Sequence, residues 1–321
     1  MLRFAAVLLL LIVVALIGLA RPLSPRGLES HPRPARDYDD ALRRVDALRA
    51  LDSDAIASVC RTMLYTHGAR TARAIVIFHG LTNCPAQFDS LARIAYARGA
   101  NVLVPRLPRH GEADRMTDAL AGSDAREWCT FADLAVDAAR GLGDSVTVVG
   151  LSVGGTLAAW AAQERPDVDR AVLIAPMLGV AAAPGPWAPV VARLTGGLPN
   201  VFVWWDDKEK ENLGGPKHVY PRFASRAVAA TLFIGGRVMH EAPRHAPGVR
   251  SAAFIVVGGD KAVDNGKIVA LANAWGSRLG GTLTMDLFPE ELHLNHDIVD
   301  IEQVGGNPAL TYPVLSARIG P

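Results

Sequence analysis

The chain has 321 residues, half of them hydrophobic, and a formal net charge of +1. That length accommodates one large α/β domain with an insertion and a substantial core. A near-neutral chain with no basic block argues against nucleic acid as a partner, and the apolar content argues against disorder. The first feature is an unbroken apolar run from Phe4 to Ala20, flanked by Arg3 and by Arg21-Pro22. At 1.5 Å per residue it reaches about 26 Å as a helix, just short of a hydrocarbon core. It reads as an uncleaved membrane anchor or as a signal peptide with Gly18 and Ala20 before the cleavage site, residues 1–21 in either case. Both readings export the rest of the chain, and the flanking arginines set no orientation. Four prolines between residues 21 and 35 suggest a linker that lifts the domain off the membrane. From about Asp37 to Ser58 apolar residues recur at helical spacing, so residues 22–58 read as linker plus outer helix.

Two β runs follow, Cys60 to Tyr65 and Ala72 to Phe78, and the His67-Gly68-Ala69-Arg70 segment between them predicts a hairpin. If it turns near Ala69, Cys60 lies opposite about residue 79, close to Cys84. A Cys60–Cys84 bridge is therefore expected in an exported chain, with the third cysteine, Cys129, in a helical core pattern. The second run leads into His79-Gly80-Leu81-Thr82-Asn83-Cys84-Pro85. Phe88 to Arg98 reads as a helix, Ala100 to Val104 as a strand, and Ser123 to Gly141 as a helix. Its predicted buried stripe is Trp128, Phe131, Leu134, Ala135 and Ala138, with Ser123 in a capping arrangement.

The stretch from Val146 to Gly155 is the most informative one. A β-branched run, Val146-Thr147-Val148-Val149, ends at Gly150-Leu151-Ser152-Val153-Gly154, and an Ala-rich helical pattern follows from Thr156 to Gln163. Strand, Gly-x-Ser-x-Gly turn and helix together place a serine on a strained backbone with its hydroxyl above the sheet edge. Backbone N–H groups at the helix start favour negative charge developing there. Ala171 to Ala175 is the next strand. From Met177 to about Pro247 the alternation of strands and helices breaks, and Pro, Gly and Trp accumulate. Trp204 and Trp205, with Phe202 and Tyr220, are candidates to line an apolar pocket or to form the insertion's own core. Asp206 to Glu211 reads as a solvated charge run, and Arg222 to Val238 as one long helix. The strand rhythm returns at Ala252 to Val257, before Gly258-Gly259-Asp260, and again at Thr282 to Phe288, before His293-Leu294-Asn295-His296-Asp297.

These segments resemble the α/β-hydrolases, nearest to the bacterial carboxylesterase, monoacylglycerol-lipase-like and serine-aminopeptidase-like branch, over about residues 60 to 320. The resemblance implies a mostly parallel central sheet flanked by helices, with residues 59–176 and 248–321 as the core and 177–247 as a cap. It implies Ser152 as nucleophile, Asp260 rather than Asp264 as the triad acid, and His296 rather than His293 as the base. It also implies Leu81 and Val153 as the backbone N–H donors of an oxyanion hole. The loop Pro105 to Gly111 matches the family's pattern except that Arg109 stands where glycine is usual. His79 and His110 read as loop-bracing, and no metal or cofactor is called for.

The function that follows is two-step acyl transfer by a serine carboxylesterase or lipase-like enzyme acting on a small-molecule or lipid acyl ester. Two alternatives remain. An aminopeptidase or amidase of the same branch would need a carboxylate such as Glu241 or Glu209 to hold a substrate amine. A membrane-tethered binding protein would keep the fold without the chemistry.

Overall fold

The computed structural model describes residues 18, 19, 21, 23, 25–210, 213–279 and 282–320. The apolar run expected as an anchor or signal peptide lies outside these residues, apart from the helical Gly18 and Leu19. Among the described residues no helix is long and apolar enough to cross a membrane.

Strand β4 (Gly143–Leu151) is built from the β-branched run, and its residues from Val146 onward are buried. A strand apolar on both faces belongs in the middle of a parallel sheet covered on both sides. β4 sits fourth of seven, in the order β1 (Met63–Tyr65), β3 (Asn101–Val104), β2 (Thr71–Phe78), β4, β5 (Arg170–Ile174), β8 (Ser251–Val257), β9 (Leu283–Phe288). All neighbours pair in parallel except β1 with β3. The chain runs from β2 outward to β3 and then returns to β4 on the other side of β2. That reversal opens a crevice at the carboxyl ends of β2 and β4, where ligands bind in open α/β sheets.

Helices cover the sheet. α1 (Tyr38–Arg49) packs on α3 (Ala125–Leu142), α2 (Asp89–Ala97) packs on α8 (Pro308–Ile319), and α7 (Asn265–Leu279) lies against β8 and β9. α4 (Val153–Glu164), directly after β4, is buried on every side from Val153 to Gln163. An all-round apolar helix of this kind needs partners on all faces, and α3, α6 and the sheet supply them. Between β5 and β8 the chain inserts α5 (Ala188–Gly197), the antiparallel pair β6 (Phe202–Trp204) and β7 (Arg222–Ala224), and α6 (Ser225–Glu241), which packs on both α5 and α4.

Several expectations need correction. The hairpin does not form: β1 pairs with β3, Met63 opposite Val104. Asn101, at the start of β3, binds the intervening turn through His67 N–H (2.9 Å) and Ala69 C=O (2.8 Å), which carries the chain across β3 before it enters β2. The outer helix stops at Arg49. Asp52 accepts hydrogen bonds from Arg106 (2.6 Å) and Thr62 N–H (2.7 Å), which draws the chain off the helical path. The long insertion helix starts at Ser225, because Arg222–Ala224 are taken up in pairing with β6. The cap of α3 is Asp124, not Ser123; its carboxylate accepts from the N–H groups of Arg126 and Glu127. Leu134 faces solvent rather than the predicted stripe.

The proline-rich segment is not a spacer either. Leu28 and Ala35 are buried, and Trp160 Nε1 donates to Leu28 C=O at 2.7 Å. His31 N–H binds Asp133, and Arg33 N–H binds Asp137. Residues 25–35 form a strap fastened to α3 and α4.

Candidate active site

The candidate site forms at the crevice between β2 and β4. Ser152 follows β4 directly and has φ 57° and ψ −116°, a backbone conformation that L-residues seldom adopt. Its N–H donates to Ile174 C=O at 3.0 Å, and its own C=O accepts from Thr156 N–H and Met177 N–H. Neighbouring glycines make the turn possible. A Cβ on Gly150 would stand 2.1 Å from the Gly154 carbonyl oxygen, and one on Gly154 would stand 1.9 Å from that of Phe78. Val153 begins α4, so its N–H is among those a helix leaves without an intrahelical acceptor.

Asp260 and His296 meet although they come from loops after different strands. His296 Nδ1 lies 2.6 Å from Asp260 Oδ2, and the Asp260 side chain is fully buried. The other carboxylate oxygen accepts from Ala262 N–H at 2.8 Å and Val263 N–H at 3.3 Å. Burial pushes the Asp260 carboxyl up, but the hydrogen bond and charge of His296 and these two N–H groups outweigh it and hold the group below its ordinary value. The carboxylate thus orients the ring through Nδ1. Nε2 is buried with no hydrogen-bond partner among the described residues. The rival acid serves elsewhere: Asp264 accepts from Gly266 N–H at 2.9 Å at the start of α7 and from Gly185 N–H at 2.8 Å in the insertion. His293 is exposed.

The loop after β2 is braced by the residues around it. His79 is buried, with Nε2 accepting from Leu107 N–H at 3.0 Å and Nδ1 donating to Gly80 C=O at 2.9 Å. Burial first, then the nearby charge of His110, holds its pKa well below the ordinary value, so it acts as a neutral brace. His110 is likewise pushed down to about 4 by burial. Gln87 accepts from Gly80 N–H at 2.7 Å. The Leu81 N–H, next in line, has no acceptor among the described residues. Arg109, the departure from the family pattern, takes φ 69°, a left-handed conformation that explains the usual glycine, and bonds Glu127 at 3.0 and 3.3 Å.

A disulfide links Cys60 and Cys84 at the base of this loop, and Cys129 is free and buried. The expected pair is correct, but a hairpin does not bring it together: the short helical turns Ser58–Cys60 and Pro85–Phe88 pack on each other. The insertion also reaches the loop. Trp205 Nε1 donates to Thr82 Oγ1 at 2.8 Å, and Tyr220 N–H donates to Thr82 C=O at 2.8 Å. Trp205 is half exposed and lies against Phe223, whereas Trp204 lies under the Lys210 ammonium. Tyr220 is buried and holds Glu112 N–H through its hydroxyl. A hollow of about 460 Å³, lined mainly by apolar groups of Pro184, Trp187, Val190 and Val191, opens in the insertion. The segment that carries this lining is tied to the chain after Asp260 by the Gly185–Asp264 bond and a bridge between Val180 and Val263.

Glu241 is engaged by Arg237, His240 and His245, so it is not open to a substrate amine. The Glu209 side chain lies outside the described residues. No cluster of His, Cys, Asp or Glu among the described residues has the makings of a metal site. Sequence reasoning missed the amides Asn83 and Gln87 and their acidic partners Asp297 and Asp300; the only signal was the aspartate directly after His296.

The Alpha/beta hydrolase family matches residues 75–298, most of the chain, from β2 through the His296 loop. The chain belongs to the alpha/beta hydrolase family. It is 31% identical over 130 residues to a thermostable monoacylglycerol lipase of Bacillus sp. (strain H-257). That alignment covers 38% of this chain and only 45% of the relative's length. Among solved structures, a monoacylglycerol lipase from Paleococcus ferrophilus superposes with a TM-score of 0.60 at 14% identity, covering 80% of this hydrolase and 97% of its own chain. A structure reported for the metagenome-derived lipolytic enzymes LipS and LipT superposes at 0.59 with 20% identity, covering 82% and 96%. At these identities the structural likenesses establish the α/β-hydrolase fold, in agreement with the family match.

Proposed function

We propose that this hydrolase cleaves an acyl ester through Ser152, His296 and Asp260, with the N–H groups of Leu81 and Val153 as the oxyanion hole. The observation that carries the reading is the Asp260–His296 hydrogen bond, with His296 Nε2 buried and without a hydrogen-bond partner among the described residues, in a chain whose Ser152 sits on a strained strand-to-helix turn. Ser152 Oγ attacks the carbonyl carbon while His296 Nε2 takes its proton. The carbonyl electrons move onto the oxygen held by the two N–H groups. Collapse expels the alcohol, which takes the proton from His296, and an acyl-enzyme remains. Water then attacks with His296 again as base, releasing the carboxylic acid and restoring the serine. Asp260 keeps the ring in the working tautomer and stabilises the imidazolium.

The apolar hollow in the insertion, and Trp205 at the loop after β2, support a substrate with an apolar acyl or alkyl part, in line with the monoacylglycerol lipases to which the chain is similar. In this reading residues 177–247 act as the cap that selects it. The Cys60–Cys84 bridge supports an exported domain, held at a membrane or released by cleavage near residue 21. Labelling with a fluorophosphonate, wild type beside Ser152→Ala, tests the reading. Label mapped to Ser152 and absent from the variant is the expected result. Folded wild type that takes no label would favour a non-catalytic binding role.

A further inference from the structure

The loop that carries His296 runs straight into two carboxylates, and the loop that carries Leu81 holds two amides that reach them. Gln87 Nε2 donates to Asp297 Oδ2 at 2.6 Å. Asn83 Nδ2 lies 3.3 Å from Asp297 Oδ2 and from Asp300 Oδ2. The second Asp297 oxygen accepts from Val299 N–H and Asp300 N–H at 3.0 Å each. His218 Nε2, from the insertion, meets Asp300 Oδ2 at 2.8 Å. Asn83, Gln87, Asp300 and His218 are all buried.

We propose that Asp297 is a positioning residue that locks the oxyanion loop to the histidine loop through Gln87 and Asn83. The inference rests on the triad reading above. Gln87 holds Gly80 N–H with its oxygen and Asp297 with its nitrogen. Gly80 immediately precedes the donor Leu81, and Asp297 immediately follows the base His296. Two hydrogen bonds thus span the distance between the group that stabilises the oxyanion and the group that moves the proton, across 210 residues of sequence. Every partner of Asp297 is a donor, so the site is made for an acceptor-only carboxylate. Asparagine there would turn one donor against other donors in either orientation of its amide.

The same substitution need not weaken the fold. Burial raises the Asp297 carboxyl, and the Asp300 charge adds to this, while bonds from Asp300 N–H, Gln87 and Val299 N–H pull it back. Removing the charge relieves the repulsion between the two carboxylates and offsets the mismatched donors. Activity and stability are therefore expected to separate.

The test uses the full chain as wild type, Ser152→Ala, Asp297→Asn and Gln87→Met. It measures kcat and KM on a p-nitrophenyl butyrate assay, inhibition by a trifluoromethyl ketone that mimics the tetrahedral adduct, and thermal unfolding. Losing an oxyanion donor outright costs about 10²–10³ in rate, so displacing one should cost about 10–50-fold. Asp297→Asn and Gln87→Met are each expected to lose that factor in kcat and in ketone affinity. KM should stay within about twofold and Tm within roughly 3 °C. Two results overturn the proposal: both variants keeping kcat and ketone affinity within twofold of wild type, or both losing activity only in step with a large fall in Tm. Wild type that neither turns over nor takes a fluorophosphonate would instead remove the triad reading, and this inference with it.

Discussion

Arg165 draws Asp133, Asp137 and Asp167 into one cluster; in a second, chain-linked cluster Asp260 holds His296, Asp297 follows that histidine and Asp300 holds His218, and only the first is closed. Arg165 is fully buried and holds Asp133 at 3.0 Å, Asp137 at 2.6 Å and Asp167 at 2.8 Å. Burial works against its charge, but the bonds and charges of Asp167 and Asp137 more than compensate and raise its pKa. The remaining carboxylate valences take N–H and O–H groups of the strap, among them Ser30 and His31. In the second cluster the partners are imidazoles and amides, no permanent cation is present among its members, and His296 Nε2 has no hydrogen-bond partner among the described residues. A buried polar network completed to the last atom contributes rigidity. One left short by a single acceptor keeps a place for a proton to arrive.

Breaking the second cluster should show first in catalysis. Asp260→Asn is expected to lower kcat by about 10³–10⁴-fold, because the amide no longer selects the working tautomer of His296. Asp264→Asn should stay within a few-fold of wild type in the same ester-hydrolysis assay. Equal losses from the two would deny Asp260 its assigned role.

The first cluster should show the opposite pattern. Arg165→Met leaves Asp133 and Asp167 without their cation and Asp137 with only the more distant Arg44, and is expected to cost about 3–5 kcal/mol in urea unfolding. Its kcat per folded molecule should be unchanged. A variant as stable as wild type would mean that the strap's own hydrogen bonds satisfy Asp133 and Asp137 without the Arg165 charge.

The smallest effect is a pH dependence. Asp260 has a folded pKa below its unfolded value. Its contribution is therefore fully present above the ordinary carboxylate range, about pH 4, and is lost as pH falls through the lower folded value. Unfolding titrations between roughly pH 2 and 5 should show a shallower acid loss of stability in Asp260→Asn than in wild type.

Periodicity and turn chemistry made much of this architecture legible. Val146 to Gly154 prescribes strand, elbow and helix, and the glycines on either side of Ser152 are where a Cβ has no room. Asp260 and His296, named through a family resemblance, lie within hydrogen-bond distance. What escaped was long-range. The β1–β3 pairing depends on Asn101 binding the turn before β2, and no local pattern marks that role. The strap reads as a linker because prolines and charges look alike whether solvated or docked. Its anchors, Asp133 and Asp137, lie about a hundred residues away on a helix that otherwise reads as ordinary. The amides Asn83 and Gln87 and the distant His218 are common residue types, and only folding shows that they meet Asp297 and Asp300.

The strap and the residues before it also bear on the insertion. Arg193, on α5, donates to the carbonyls of Leu19 and Arg21, and residues 25–35 are fastened along α3 and α4. The described N-terminal residues thus touch two parts of the molecule, Leu19 and Arg21 meeting the insertion and residues 25–35 meeting the helices that cover the sheet, much as a staple holds two sheets of paper.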